Sequence, residues 1–212
     1  MAVDEQERGR SLTPAERQRM ERYERLSAEL VSRGYRRSEL TVGLVYANVV
    51  ALLLGLPLMV GGGAAFLAVN LSRGISFEGN WPLLMLSILV LVVVHELIHG
   101  ITWGLFAERR WRDIEFGFIV QYLTPYCTCA CPLPKGAYIT GALMPLVVLG
   151  IVPTLLAIAS GSLSLLLVGI VMCYSAGGDL LIVRELLRHK ANGQEMLIYD
   201  HPTQAGAVVF ER

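Results

Sequence analysis

The sequence predicts an all-α polytopic membrane protein with about four transmembrane helices. A short β-hairpin lies between spans two and three, and a cytosolic amphipathic helix precedes span one. Three observations predict this. Of the 212 residues, 54% are hydrophobic and 17% charged, with a mean hydropathy of +0.52; soluble domains carry about a quarter charged residues. Four apolar stretches are each long enough to cross a hydrocarbon core of about 30 Å. Lys and Arg gather at alternate ends of those stretches, the bias that marks cytosolic loops.

Thr13-Pro14-Ala15-Glu16 reads as a helix start, with Thr as N-cap, Pro at the first position and Glu at the third. Met20, Tyr23, Leu26 and Leu30 follow at helical spacing, with Gly34 as C-cap. This helix is expected on the membrane surface or on the protein itself. Span one is expected from Val42 to Leu71, weakened or bent at Gly61-Gly62-Gly63. Span two is Trp81 to Ala107; span three runs from about Ala137 to Ala159 with Pro145 and Pro153 inside; span four runs from about Leu163 to Val183. The short Ser160-Gly161-Ser162 link makes spans three and four an antiparallel pair. Ile114 to Pro134 is rich in aromatic and β-branched residues, partly alternating and broken at Thr124-Pro125, which suits a hairpin near the cytosolic face. One strand, Ala207 to Phe210, is expected in the tail.

The chain thus divides into a cytosolic segment over 1–40, a transmembrane domain over 41–185 and a cytosolic tail over 186–212. Arg33, Arg36, Arg37, Arg109, Arg110, Arg112, Lys135, Arg184, Arg188 and Lys190 fall on one side of the membrane, and only Arg73 on the other. Both termini are therefore expected in the cytoplasm. No apolar run follows the alternating charges of Met1 to Arg10, so span one is expected to act as its own insertion signal. The net charge is zero and no basic stripe is present, which excludes nucleic acid as an expected partner. Cys127, Cys129 and Cys131 alternate and would share one face of a strand; with Cys173 they read as small buried residues rather than a disulfide framework, a soft-metal site being the alternative.

His95-Glu96-Leu97-Ile98-His99 lies inside span two. Two His at i and i+4 share a helix face and reach one Zn²⁺, and the Glu beside the first is placed to polarise a metal-bound water. Ionisable groups at bilayer depth are costly, so three within five residues argue for a site. A catalytic zinc needs a third protein ligand and an open position. Asp179 is the acidic residue inside span four, and Gly177-Gly178 before it would let another helix approach closely. Glu185, His189 and His201 are rivals that lie beyond the span.

His-Glu-x-x-His-Gly in a transmembrane helix, then a β-like segment, then Gly-Gly-Asp in a later span resembles the site-2 protease type of intramembrane metalloprotease. It is closer to the family labelled "putative zincin peptidase". The resemblance covers roughly Trp81 to Glu185, with the Asp200-His201-Pro202 tail as an extension. It implies zinc on His95, His99 and Asp179, and Glu96 as base. The sequence departs from the site-2 pattern where Leu180 follows the Asp and no Asn precedes it in span four. The implied activity is zinc-dependent hydrolysis of peptide bonds in transmembrane or membrane-associated protein substrates, with Glu96 activating a zinc-bound water. Asn48, Gln121 and Tyr122 are polar candidates for stabilising the oxyanion. Two other classes compete: a non-catalytic metal-binding membrane scaffold, and a metal transporter. Retention of Glu96 argues against the first; the apolar outer halves of spans two and four argue against the second.

Overall fold

The computed structural model of the protein describes residues 13–77, 79–119, 124–190 and 195–212. Helix α1 (Pro14–Ser32) starts at the expected capping box: the Glu16 amide donates to Thr13 Oγ1 at 3.3 Å, and the Thr13 amide to Glu16 Oε2 at 2.8 Å. Gly34, with φ +90°, turns the chain out of the helix. The apolar face of α1 rests on protein. Tyr23 and Leu30 pack with Tyr35, Tyr199, Val208 and Phe210, while Arg22 pairs with Glu115 at 2.5 Å.

Helices α2 (Leu44–Asn70) and α3 (Trp81–Phe106) are long and apolar, with Leu53, Val60, Leu86, Leu89 and Leu105 all exposed on their outer faces. The expected interruption at Gly61-Gly62-Gly63 does not occur; α2 continues through it. A Cβ on Gly62 would meet Thr154 Cγ2 at 2.9 Å, so that glycine serves close helix packing. In an apolar setting an unpaired backbone would be costly, which favours the unbroken helix. The third apolar segment, Lys135–Ser160, consists of α4 (Lys135–Pro145), a π-helical stretch (Leu146–Ile151) and α5 (Val152–Ser160). Pro153 lacks the amide that would continue the α ladder, and the wider turn precedes it. Gly161, at φ +75°, reverses the chain into the antiparallel partner expected from the sequence.

The fourth segment, expected over about Leu163 to Val183, is bent. It breaks into α6 (Leu163–Ser175) and α7 (Gly177–Arg188), bent by 44°. Gly177-Gly178 have low helix propensity, and the break puts Asp179 in the first turn of α7. Among the described residues, three helical segments are long and apolar enough to cross a membrane, or four if the bent pair is one span. Gly177 sits against α2, where an added Cβ would lie 2.6 Å from the Ala51 carbonyl oxygen. Gly177→Val is therefore expected to push α7 off α2 and to destabilise the fold by on the order of 1–3 kcal/mol, because backbone rather than a flexible side chain must yield. Thermal unfolding of the purified protein in detergent would check it; an unchanged midpoint would show that the two helices can part freely.

The all-α expectation misses a sheet. Strands β1 (Arg36–Thr41), β4 (Leu133–Pro134), β5 (Met196–Asp200) and β6 (Gly206–Glu211) form one antiparallel sheet in the order β1-β6-β5-β4. Among the described residues the tail thus holds two strands, where one is expected. β1 carries Arg-Arg-Ser-Glu-Leu-Thr and β4 is two residues long, so neither shows apolar alternation; distant pairing makes them strands. The expected hairpin is present as β2 (Ile114–Ile119) paired antiparallel with β3 (Thr124–Cys129). Its connection lies outside the described residues, and Gln121 and Tyr122 with it. Asp113, wholly buried, ties the end of α3 to this hairpin by accepting from the Arg109 amide at 2.7 Å and Arg109 Nε at 2.9 Å. Burial acts to raise its carboxyl, but the Arg109 contacts prevail and hold it below its ordinary value. Trp103, Cys127, Cys129, Tyr138, Leu186, Ile198 and Val209 share one core, where α3, α4 and α7 meet the strands.

Candidate metal centre

Helix α3 sets the first two donors. Asn80 caps it, its side chain accepting from the Leu83 amide at 2.8 Å, and Pro82 lies in the first turn. The helix then runs unbroken through His95 and His99, which are 6% and 3% exposed and share one face. Their rings meet edge to face at 4.8 Å, and the two Nε2 atoms lie 3.1 Å apart. Asp179 enters from α7, with Oδ2 at 3.2 Å from His95 Nε2 and Oδ1 at 3.4 Å from His99 Nε2. Among the described residues, these three alone bring three candidate ligand atoms within 4.8 Å of one another.

The donor set fits zinc. Ligands at tetrahedral corners, about 2.0–2.1 Å from the ion, lie about 3.3 Å apart; the two Nε2 atoms are 3.1 Å apart, each faces a different Asp179 oxygen at 3.2 and 3.4 Å, and one ligand atom from each residue falls within 4.8 Å of the others. The proton count agrees. His99 Nδ1 faces the Gly141 carbonyl at 2.9 Å, and a carbonyl only accepts, so in the neutral ring the proton sits on Nδ1 and the Nε2 lone pair is free. Two imidazole nitrogens and a carboxylate converging on one point are matched by a cation. His95 Nδ1 is buried and has no hydrogen-bond partner among the described residues.

The surroundings hold the donors still. Trp103 stacks on His99 at 4.9 Å and 16°, and its Nε1 donates to the Tyr138 carbonyl at 3.0 Å. A side chain on Gly141 would occupy the place of the Trp103 indole, so this glycine both admits Trp103 and presents its carbonyl to His99. A Cβ on Gly100 would meet the Phe116 ring at 2.6 Å; its absence lets the hairpin lie against α3. Glu96 is half-buried beside the two His, and the Cys127 amide of β3 faces its carboxylate as a donor. It is not one of the three converging donors.

Of the other sequence candidates, Asn48 is exposed on α2, and Gln121 and Tyr122 lie outside the described residues. Glu185 pairs with Arg184 at 2.5 Å and His189 meets Glu211 at 3.3 Å. His201 Nδ1 accepts from the Thr203 and Gln204 amides in its own turn. Cys127, Cys129 and Cys131 are all buried, but they do not bring three ligand atoms together. Cys129 and Cys131 sulfurs lie 3.5 Å apart; that contact and burial push the Cys129 thiol well above its ordinary value, and burial does the same for Cys127. Sequence reasoning passed over Gly141, Trp103 and the Cys127 amide. Trp103, four residues past His99, carried the one sequence signal, since i and i+4 place it on the ligand face.

The model of the family described as "Putative zincin peptidase" matches residues 88–193, half of the chain, and that stretch holds His95, Glu96, His99 and Asp179. The chain belongs to this family. Membership in the zincin family supports a metallopeptidase and implies zinc, which the donor set above suits. No curated protein and no solved structure matches the chain.

Proposed function

We propose that the protein is a zinc-dependent intramembrane endopeptidase, similar in type to the site-2 proteases, that hydrolyses peptide bonds of transmembrane or membrane-associated proteins. The observation that carries this reading is the convergence of His95 Nε2, His99 Nε2 and Asp179 on one point, with Glu96 beside them, in segments apolar enough to span a bilayer. His95, His99 and Asp179 would hold the ion. Bound Zn²⁺ supplies a Lewis acid that polarises the scissile carbonyl and acidifies water. Glu96 takes a proton from the attacking water as the C–O bond forms. It then returns that proton to the leaving nitrogen as the C–N bond breaks, so base and acid are one carboxylate. The Cys127 amide faces that carboxylate as a donor and would orient it.

A helix must be unwound before it is cut, and an extended segment can add to the β2–β3 hairpin by backbone hydrogen bonds. The Lys and Arg distribution favours cytoplasmic termini and a site in the cytosolic half of the bilayer. The test uses full-length protein in proteoliposomes with a panel of fluorogenic transmembrane-segment peptides. Near-stoichiometric zinc, with cleavage lost on chelation and restored by zinc, is the expected result. Bound zinc without cleavage of any peptide would favour the scaffold instead. Zinc flux into the vesicles would favour a transporter.

A further inference from the structure

Asp200 closes β5 in the tail, beyond the residues that match the family. Its carboxylate joins two other elements. Oδ1 accepts from the Tyr138 hydroxyl of α4 at 2.6 Å, and Oδ2 accepts from the Cys129 amide at the end of β3 at 3.1 Å. Each partner leads to the metal centre. The Tyr138 ring stacks on Trp103 at 5.4 Å, its carbonyl accepts from Trp103 Nε1, and Trp103 stacks on His99. Cys129 is two residues along β3 from Cys127, whose amide faces Glu96. Burial raises the Asp200 carboxyl above its ordinary value, while its bonds from Tyr138 and Cys129 lower it. Placing a carboxylate there is costly and is offset by those two donors.

We propose that Asp200 is a positioning residue for the metal centre: it locks the aromatic stack behind His99 and the strand in front of Glu96 into one register. The tail sheet is thereby part of the site, although it contributes no ligand. This rests on the zinc reading above. Outer partners that orient a ligand commonly contribute about 10–100-fold to metal affinity.

The test measures zinc affinity by chelator competition, and the visible spectrum of the Co²⁺-loaded site, on the full-length protein in detergent. Asp200→Asn keeps the shape but offers a single acceptor oxygen for two donors. It is expected to weaken zinc about 10–100-fold and to alter the Co²⁺ spectrum. Tyr138→Phe removes only the hydroxyl and is expected to shift both readouts in the same direction. It decides the matter if Asp200→Asn does not fold. Glu211→Gln disturbs the tail at its contacts with Arg36 and His189, away from the relay, and is expected to match wild type. Wild-type affinity and spectrum in both relay variants would overturn the proposal while leaving the zinc reading intact. An equal loss in Glu211→Gln would also overturn it, since the tail would then act by general support. A wild-type protein that binds neither ion would overturn the zinc reading and this proposal together.

Discussion

Glu96→Gln is expected to leave zinc in place and to lower peptide hydrolysis by about 10²–10⁴-fold, the usual contribution of a positioned base. The substitution keeps the side chain's shape and an oxygen that can accept from the Cys127 amide. It removes only the capacity to take a proton. Glu96 is not one of the three donors that converge between α3 and α7, so metal per chain should equal that of wild type. The measurement pairs metal analysis with kcat/KM on a cleavable transmembrane peptide. Loss of zinc would make Glu96 a ligand; full activity would put the base elsewhere. Either result would sink the mechanism proposed.

Asp179→Ala is expected to lose zinc. It leaves His95 and His99, two neutral donors from one helix, without the anionic third donor that α7 supplies. Removal of a direct ligand should cost more than the about 10–100-fold that outer partners contribute, so zinc should be lost on desalting and activity with it. The helix break is expected to persist, since it arises at Gly177-Gly178 rather than at the carboxylate. Retention of stoichiometric zinc in Asp179→Ala would show that another group completes the site.

Much of the site was legible because it is local. His95 and His99 share a face by the 3.6-residue period alone, and a carboxylate in an apolar span marks itself by its cost. The capping box at Thr13 and Glu16 and the limits of α3 were legible for the same reason: a few neighbouring residues satisfy the exposed amides. Other readings failed where the deciding contact comes from far along the chain. Gly61-Gly62-Gly63 reads as a break, but the helix runs through it and Gly62 packs against Thr154, whereas Gly177-Gly178 reads as a packing surface and also lies at the bend of its segment. Both runs have the same low propensity, and the neighbours decide.

Sequence alone places a His-Glu-x-x-His face in the second of four apolar stretches and an acid in the fourth. Hydropathy and helical periodicity are properties of short windows, so these needed no neighbours. Long-range packing is what brings Asp179 to the two His, the Gly141 carbonyl to His99 Nδ1 and the Cys127 amide to Glu96. It also decided that β1, β4, β5 and β6 form a sheet whose Asp200 reaches toward the site. Many of these contacts are distant in sequence: His99 and Gly141 are 42 positions apart, His95 and Asp179 are 84 apart, and Arg36 and Glu211 are 175 apart. Their pairing depends on the closure of long loops and on close approach at glycine, which no local pattern encodes.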